Sequence, residues 1–417
     1  MSPTGIAAAT WIVFALVYVG LAVGKLPLVH LDRAGIALVG ATAALVVGII
    51  TFPQAVEAVD FATIALLFGM MVVVAYLRLG GFFRLLASRV LSRATTPIGV
   101  LAAVVGLSGL LSAFLVNDVV CLALGPIVLS LARRVRRDPT PYLVALATAA
   151  NVGSTATITG NPQNMIIGGL SHVPYGRFAA RLGPVAAMGL VLVFAIVAVA
   201  FRSALSTDKG QDTRPSVAPG DPAGMPNPKL LPKGVTVLLG VIGCFFAGVP
   251  VEIAALGAGA LLMLGRQRPQ PLYAQIDWNL LVMFAGLFVV VAAFELHVVS
   301  TWNLGWVAGS GTAPIAALTG ATAVLSNLVS NVPAVLLLKS IVSPMVPAAR
   351  EQAWLTLAMA STLSGNLTPV ASVANLIVLE GADREGVRVS LWDYCRVGVP
   401  LTGITLALGA GWLAFVH

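Results

Sequence analysis

Between Leu146 and Leu170 the chain reads LATAANVGSTATITGNPQNMIIGGL. Both ends are apolar enough for lipid. The middle collects Asn151, Ser154, Thr155, Thr157, Thr159, Asn161, Gln163 and Asn164, interrupted by Gly153, Gly160 and Pro162. A helix in hydrocarbon must satisfy its own backbone polar groups, and glycines and a proline at mid-depth release some of them. The stretch is therefore expected to begin as helix, unwind, and resume. Broken membrane helices of this kind form the binding elements of many secondary transporters. A continuous helix whose polar face is glued to its neighbours is the structural alternative.

The surrounding sequence supplies the membrane. Of 417 residues, 58% are hydrophobic and 10% charged, against roughly 25% charged in soluble domains. The apolar runs are long and do not alternate, which excludes a β-barrel. The expectation is an all-α polytopic membrane protein with room for about ten spans. The net charge of +8 reads as Lys and Arg in cytoplasmic loops, not as a nucleic-acid surface. Cys121, Cys244 and Cys395, and His30, His172, His297 and His417, are too scattered for a metal site, so neither metal nor cofactor is expected. No Lys or Arg precedes the first apolar run, so no cleavable signal peptide is expected.

Two similar halves emerge along the chain. Residues 1–202 contain spans at Gly5–Gly24, Ala34–Ile50 and Phe61–Leu79, and then a basic amphipathic stretch at Gly80–Thr96. A re-entrant helical hairpin follows at about 97–132, interrupted by Val116-Asn117-Asp118, then the broken helix at 142–170 and a last span at Gly183–Phe201. Residues 203–233 carry six prolines among Gly, Asp, Ser and Lys and read as a linker. Residues 234–417 repeat the order: spans at Gly234–Gly248, Glu252–Gly265 and Trp278–Leu296, a hairpin at about 311–346, a broken helix at 352–380 and a span at Val397–Val416. At an offset of 217, Asp60, Gly69 and Val72–Ala75 match Asp277, Gly286 and Val289–Ala292. Asn117 falls opposite Asn331, and further on, at an offset of 211, Leu146, Ala147, Thr157 and Asn164 match Leu357, Ala358, Thr368 and Asn375.

Five spans plus one hairpin per half make the two halves inverted-topology repeats. Walking the chain on that basis places Arg177, Arg181, Lys339 and Arg350 on the starting side and the other 20 of the 24 Lys and Arg opposite. The positive-inside rule then makes the opposite side cytoplasmic, so the chain is expected in the cytoplasmic (inner) membrane with both termini outside and the linker in the cytoplasm.

Asp118 is the most informative side chain, a carboxylate at a hairpin tip far from either basic flank. Charge at that depth is a functional hypothesis by default, and proton coupling suits it. A fixed hydrogen bond to unwound backbone is the structural alternative. Asn117 and Asn331 at the hairpin tips, with Thr155 and Asn366 in the broken helices, are expected to meet near the midplane. Each can donate and accept, beside the positive ends of half-helices. Asn161, Ser330 and Ser372 complete the candidate set. Asp60 and Asp277, and similarly Glu252, read as N-caps. Glu295 and His297 read as interfacial, and Lys339 as a snorkelling side chain, with pairing to Asp118 its alternative. Gly106-Leu107-Ser108-Gly109 matches the GxSG of intramembrane serine proteases, but all four histidines fall near loops or ends.

The segments AFLVNDVVCLALGPIVL, NVGSTATITGNPQN, NLVSNVPAVLLL and STLSGNLTPVASVANLIV resemble the ion transporter superfamily over essentially the whole chain. VNDVVCLALGPIVL, SNVPAVLLL and the chain length are most similar to arsenite/antimonite efflux permeases of the ArsB type. That resemblance implies export of arsenite and antimonite in exchange for protons, by alternating access. Some members of that group also couple to a soluble cytoplasmic ATPase of the ArsA type, which would be a further partner. The superfamily's symporters carry Ser-Asn-Thr at both hairpin tips, where hydroxyls help hold sodium. Here the tips read Val116-Asn117-Asp118 and Ser330-Asn331-Val332, which speaks against two sodium sites and for protons. A sodium/proton antiporter of the NhaD type is the alternative function, and a membrane protease a remote one.

Overall fold

The computed structural model describes residues 3–23, 31–91, 93–94, 96–134, 137–206, 227–264, 270–301 and 314–416. Most of the linker (207–226), the start of the second hairpin region (311–313), and Arg136, Arg266 and Arg268 lie outside these residues, as do His30 and His417. Every regular element among the described residues is helical.

The first half runs α1 (Pro3–Val23), α2 (Arg33–Val46), the short α3 (Phe52–Ala58), α4 (Phe61–Leu79) and the amphipathic α5 (Phe82–Leu91). It continues with α6 (Pro97–Phe114), α7 (Asn117–Arg134), α8 (Thr140–Ser154), α9 (Pro162–Ser171), α10 (Tyr175–Ala200) and the one-turn α11 (Arg202–Leu205). The second runs α12 (Leu231–Phe246), α13 (Val251–Met263), α14 (Gln270–Tyr273), α15 (Trp278–His297), α16 (Ile315–Val329), α17 (Asn331–Val342), α18 (Pro347–Ser364), α19 (Val373–Arg384) and α20 (Leu391–Phe415). The order of elements recurs, down to 3-10 turns at Ile158–Gly160 and Pro369–Ala371 inside the two broken helices.

Local chemistry sets the boundaries. Asp60 accepts from the Ala62 and Thr63 N–H groups to start α4, and Asp277 accepts from the Leu280 N–H to start α15. Thr96 caps α6 ahead of Pro97. These side chains occupy N–H groups that a helix start leaves open. Glu252 lies within the first turn of α13 and is not its cap. Among the described residues seven helices are long and apolar enough to cross a membrane, and α2, α13, α16 and α17 are shorter apolar helices. At 14 residues, α2 spans about 21 Å, short of the ~30 Å hydrocarbon core. The expected span to Ile50 instead turns at Gly48, whose positive φ of 77° suits glycine.

The broken helices occupy the centre. All fifteen residues of α8 are buried, as are fourteen of the eighteen in α18. Peripheral helices expose large apolar side chains such as Leu16, Val46, Val191, Leu239, Leu261 and Phe415, as a lipid-facing surface requires.

The halves interlock. A Cβ on Gly69 in α4 would lie 2.4 Å from the Ala255 carbonyl carbon in α13, and one on Gly286 in α15 would lie 2.8 Å from that of Ala37 in α2. Each half therefore presses a glycine of its third long helix against the backbone of the other half. Such close backbone approach is the main source of helix association where the surroundings are as apolar as the side chains.

Contacts at the helix ends sort into two groups. At one end, Arg177 pairs with Glu351 at 2.7 Å, Gln352 donates to the Leu413 carbonyl, and Trp412 donates to that of Arg181. At the other, Arg133 pairs with Glu385 at 2.9 Å, Arg137 donates to the Ser206 carbonyl, and Lys233 donates to those of Leu262 and Leu264.

Candidate functional site

Both broken helices unwind over seven or eight residues, α8 to α9 across Thr155–Asn161 and α18 to α19 across Gly365–Ser372. Thr157 and Thr368 adopt nearly the same extended backbone, at φ −140°, ψ 166° and φ −135°, ψ 161°. The released carbonyls are taken by side chains. Asn164 donates to the Ser154 and Thr157 carbonyls at 3.1 and 3.0 Å. Asn375 donates to the Gly365 and Thr368 carbonyls at 2.8 and 3.2 Å. Donor and acceptors all obey the offset of 211, so one device closes both breaks. It meets the bilayer's demand that no backbone group be left bare.

The networks then cross between halves. Asn151 accepts from Asn117 at 2.9 Å and from Ser372 at 3.0 Å, and it donates to Asn366 and Asn375, both at 3.0 Å. Its counterpart Thr362 accepts from Asn161 at 3.1 Å and Gln163 at 3.3 Å, and donates to Asn164 at 3.4 Å. Asn117, Asn151, Asn161, Asn366, Ser372 and Asn375 are all buried.

The expected site residues have different fates. Asn117, Asn366 and Ser372 meet around Asn151. Asn117 Oδ1 and Asn366 Nδ2 are buried with no hydrogen-bond partner among the described residues. Asn331 also leaves its Oδ1 unpartnered, and its Nδ2 lies beside Gly365, 3.4 Å from where a Cβ would be. Ser330 precedes α17 with φ 79° and ψ 161°, a region that only glycine enters readily. Asn161 is fully engaged, with Ser154, Thr362 and the Asn164 N–H. The Thr155 hydroxyl donates to the Asn151 carbonyl of its own helix at 3.4 Å.

Asp118 is half-buried in the first turn of α7 and makes no hydrogen bond or ion pair with the described residues. The fixed backbone bond considered for it is not formed. Lys339 pairs with Glu295 at 3.3 Å, and Ser340 donates to the same carboxylate at 2.7 Å, so Lys339 is not the partner of Asp118. Ser108 is buried within α6 and donates to the Val104 carbonyl at 2.7 Å, leaving no nucleophile. Among the described residues no Lys or Arg is buried.

A cavity of about 580 Å³ opens between α7 and α19. Arg133 and Glu385 stand at its rim. Cys121, one turn beyond Asn117, and Val378, one turn beyond Asn375, lie at its inner end. At the opposite end of the molecule, Arg177, Arg181, Glu351 and Gln352 line a pocket of only about 80 Å³.

Sequence reasoning missed the hubs. Asn151 and Thr362 were visible as polar residues, and Asn164 and Asn375 as a repeat pair. The available signal was that the 211 offset also relates Asn151 to Thr362 and Asn161 to Ser372.

Known proteins resemble this chain over almost its full length. A protein of Mycobacterium bovis known only as an uncharacterized transporter is 29% identical, covering 92% of this chain and 94% of its own. The silicon efflux transporter LSI3 of Oryza sativa is 28% identical, covering 92% and 93%. A Dictyostelium discoideum protein with the provisional name transporter arsB is 24% identical, covering 91% and 86%. The crystal structure of the Alcanivorax borkumensis YdaH transporter, reported for an unusual topology, matches the fold with a TM-score of 0.59 at 16% identity, over 99% of this chain and 97% of that one. The profile of the CitMHS citrate transporter family matches residues 11–364. With its interrupted helices, buried amide cluster and lipid-facing exterior, the chain is a multi-pass membrane transporter and belongs to the CitMHS family.

Proposed function

We propose that the protein is a secondary transporter exporting a small, neutral, hydroxyl-bearing solute, arsenite in the first instance and antimonite with it, in exchange for protons. The observation that carries this reading is the buried pair of unpartnered groups around Asn151, the Asn117 carbonyl oxygen and the Asn366 amide nitrogen. A buried polar atom without a partner is destabilising by about 1–3 kcal/mol, and two of opposite character, on side chains that both bond Asn151, suit a ligand hydroxyl that both gives and takes a hydrogen bond. Arsenite near neutral pH is mainly the uncharged trihydroxide. The absence of buried Lys or Arg among the described residues favours such a solute over a dianion, which would call for a cationic clamp. The names of the rice silicon exporter and the Dictyostelium arsB protein point to solutes of the same chemistry.

The halves act as inverted repeats, with the hairpin tips and broken helices carrying the solute. The two groups of end contacts follow the sides that the chain walk assigns, which supports this arrangement. With the Arg133 end cytoplasmic, the larger cavity opens inward and the small pocket outward. Asp118, held at the N-terminus of α7 without a partner, takes a proton from outside and releases it inside. The hydroxyls of Ser330 and Ser372 and the Asn331 amide complete the lining. Thr155 and Asn161 act in support of the breaks.

The family description favours a second reading, a citrate carrier. Arsenite accumulation in cells with and without the protein separates the two. Lower accumulation and higher tolerance in expressing cells support the first. Unchanged arsenite with altered citrate uptake supports the second.

A further inference from the structure

The amide network has a direction, and backbone carbonyls set it. Both Asn375 amide hydrogens are committed to the carbonyls of Gly365 and Thr368. Only its Oδ1 is left to face Asn151, so Asn151 must offer Nδ2 there. The second hydrogen of that Nδ2 goes to Asn366, which must answer with Oδ1, leaving the Asn366 Nδ2 free. The Asn151 Oδ1 then faces Ser372 and Asn117, both of which must donate, leaving the Asn117 Oδ1 free. Turning any one amide over would set donor against donor or acceptor against acceptor at about 3 Å.

The pseudo-equivalent network, which joins Thr362 to the break of the first half, does not end this way. Thr362 has one hydrogen, given to Asn164, and its oxygen is filled by Asn161 and Gln163. None of these four residues has an unpartnered buried side-chain atom; Asn331, the counterpart of Asn117, keeps a free Oδ1 but makes no hydrogen bond to Thr362. Asn161 also caps α9, whereas the Ser372 hydroxyl is taken by Asn151 and leaves α19 without a side-chain cap.

We propose that Asn375 and Asn151 are positioning residues that fix the polarity of a single binding site. Asn117 presents an acceptor and Asn366 a donor, and the pseudo-equivalent position around Thr362 is closed, so the chain binds one solute. The solute class rests on the function proposed above, while the amide orientation and the single site do not.

Two measurements on the purified full chain test this. The first needs no ligand. At pH 8, Asn366→Asp keeps the acceptor that Asn151 requires, and Asn117→Asp replaces a required donor. Both bury a carboxylate, so that shared penalty cancels in the comparison. The expected result is a higher unfolding temperature for Asn366→Asp than for Asn117→Asp, and equal or reversed temperatures overturn the orientation. The second is calorimetric titration with arsenite. One site per chain is expected, with affinity falling about tenfold or more in Asn366→Asp and staying near wild type in Gln163→Ala on the closed side. Two sites per chain, or full affinity in Asn366→Asp, overturn the single-site assignment. An absence of arsenite binding in the wild type refutes the solute reading instead, and the stability order still decides the orientation.

Discussion

Gly153→Ala perturbs the site without touching a polar group. Gly153 belongs to α8, and a Cβ there would lie 2.2 Å from the Gly109 carbonyl oxygen and 2.5 Å from its Cα in α6. Unstrained carbon contacts fall near ~3.5–4 Å, and backbone cannot rotate away as a side chain can. The two helices must therefore part by about 1 Å. Overpacking of that kind costs about 1–3 kcal/mol, and the better helix propensity of alanine returns at most ~1 kcal/mol. The expected net loss is about 2 kcal/mol, near the top of the range because both clashes are with backbone. Asn151 lies two residues earlier on the same helix. A shift of ~1 Å would stretch its bonds of about 3 Å beyond hydrogen-bonding range, so transport should fall along with stability. Gly106→Ala, on an open face of α6 with nothing within 4 Å of the added Cβ, is the matched control and should be neutral or slightly stabilising. Thermal unfolding in detergent and solute flux in vesicles read the two effects. A Gly153→Ala protein as stable and active as Gly106→Ala would refute the close crossing and its link to the site.

Three further outcomes are expected. Ser330→Gly should raise the unfolding temperature by removing a strained backbone worth about 1–3 kcal/mol, and it should slow transport because the tip hydroxyl is gone; unchanged stability would show that the strain is absent. A protease site inserted between residues 207 and 226 should yield, on cleavage of the intact protein, two halves that still co-purify, because Gly69 and Gly286 lock each half to the other. Adding Gly69→Ala should release them. Asp118→Asn, nearly the same in shape and without a hydrogen bond to lose, should leave stability close to wild type and abolish proton-coupled flux; undiminished coupled flux would remove Asp118 from the mechanism.

The parts of this fold governed by local chemistry were legible in the sequence. Glycine, proline and asparagine marked broken helices at 142–170 and 352–380, because those residues release or replace backbone hydrogen bonds wherever they occur, and the structure interrupts these helices at 155–161 and 365–372. Asp60 and Asp277 read as helix starts for the same reason. Helix length was less legible. Apolar composition suggested that α2 ran on to Ile50, whereas the helix ends at Val46 and the chain turns through Gly48, one glycine among 42. Partner choice was not legible. Lys339 meets Glu295 across 44 residues of chain, and Asn151 meets Asn366 across more than 200. Nor could composition separate Asn366, which keeps a free group, from Asn161, which does not. That difference follows from local partners: Asn161 is held by Ser154 and the Asn164 N–H within its own break, whereas Asn366 bonds only Asn151 through its side chain.

The central claim, that a small neutral hydroxylated solute crosses in exchange for protons, is tested most directly in proteoliposomes under an imposed pH gradient without sodium. The account predicts arsenite flux driven by the gradient, with proton movement in the opposite direction that requires arsenite. Proton movement indifferent to arsenite, or flux of citrate or sodium in its place, would contradict it.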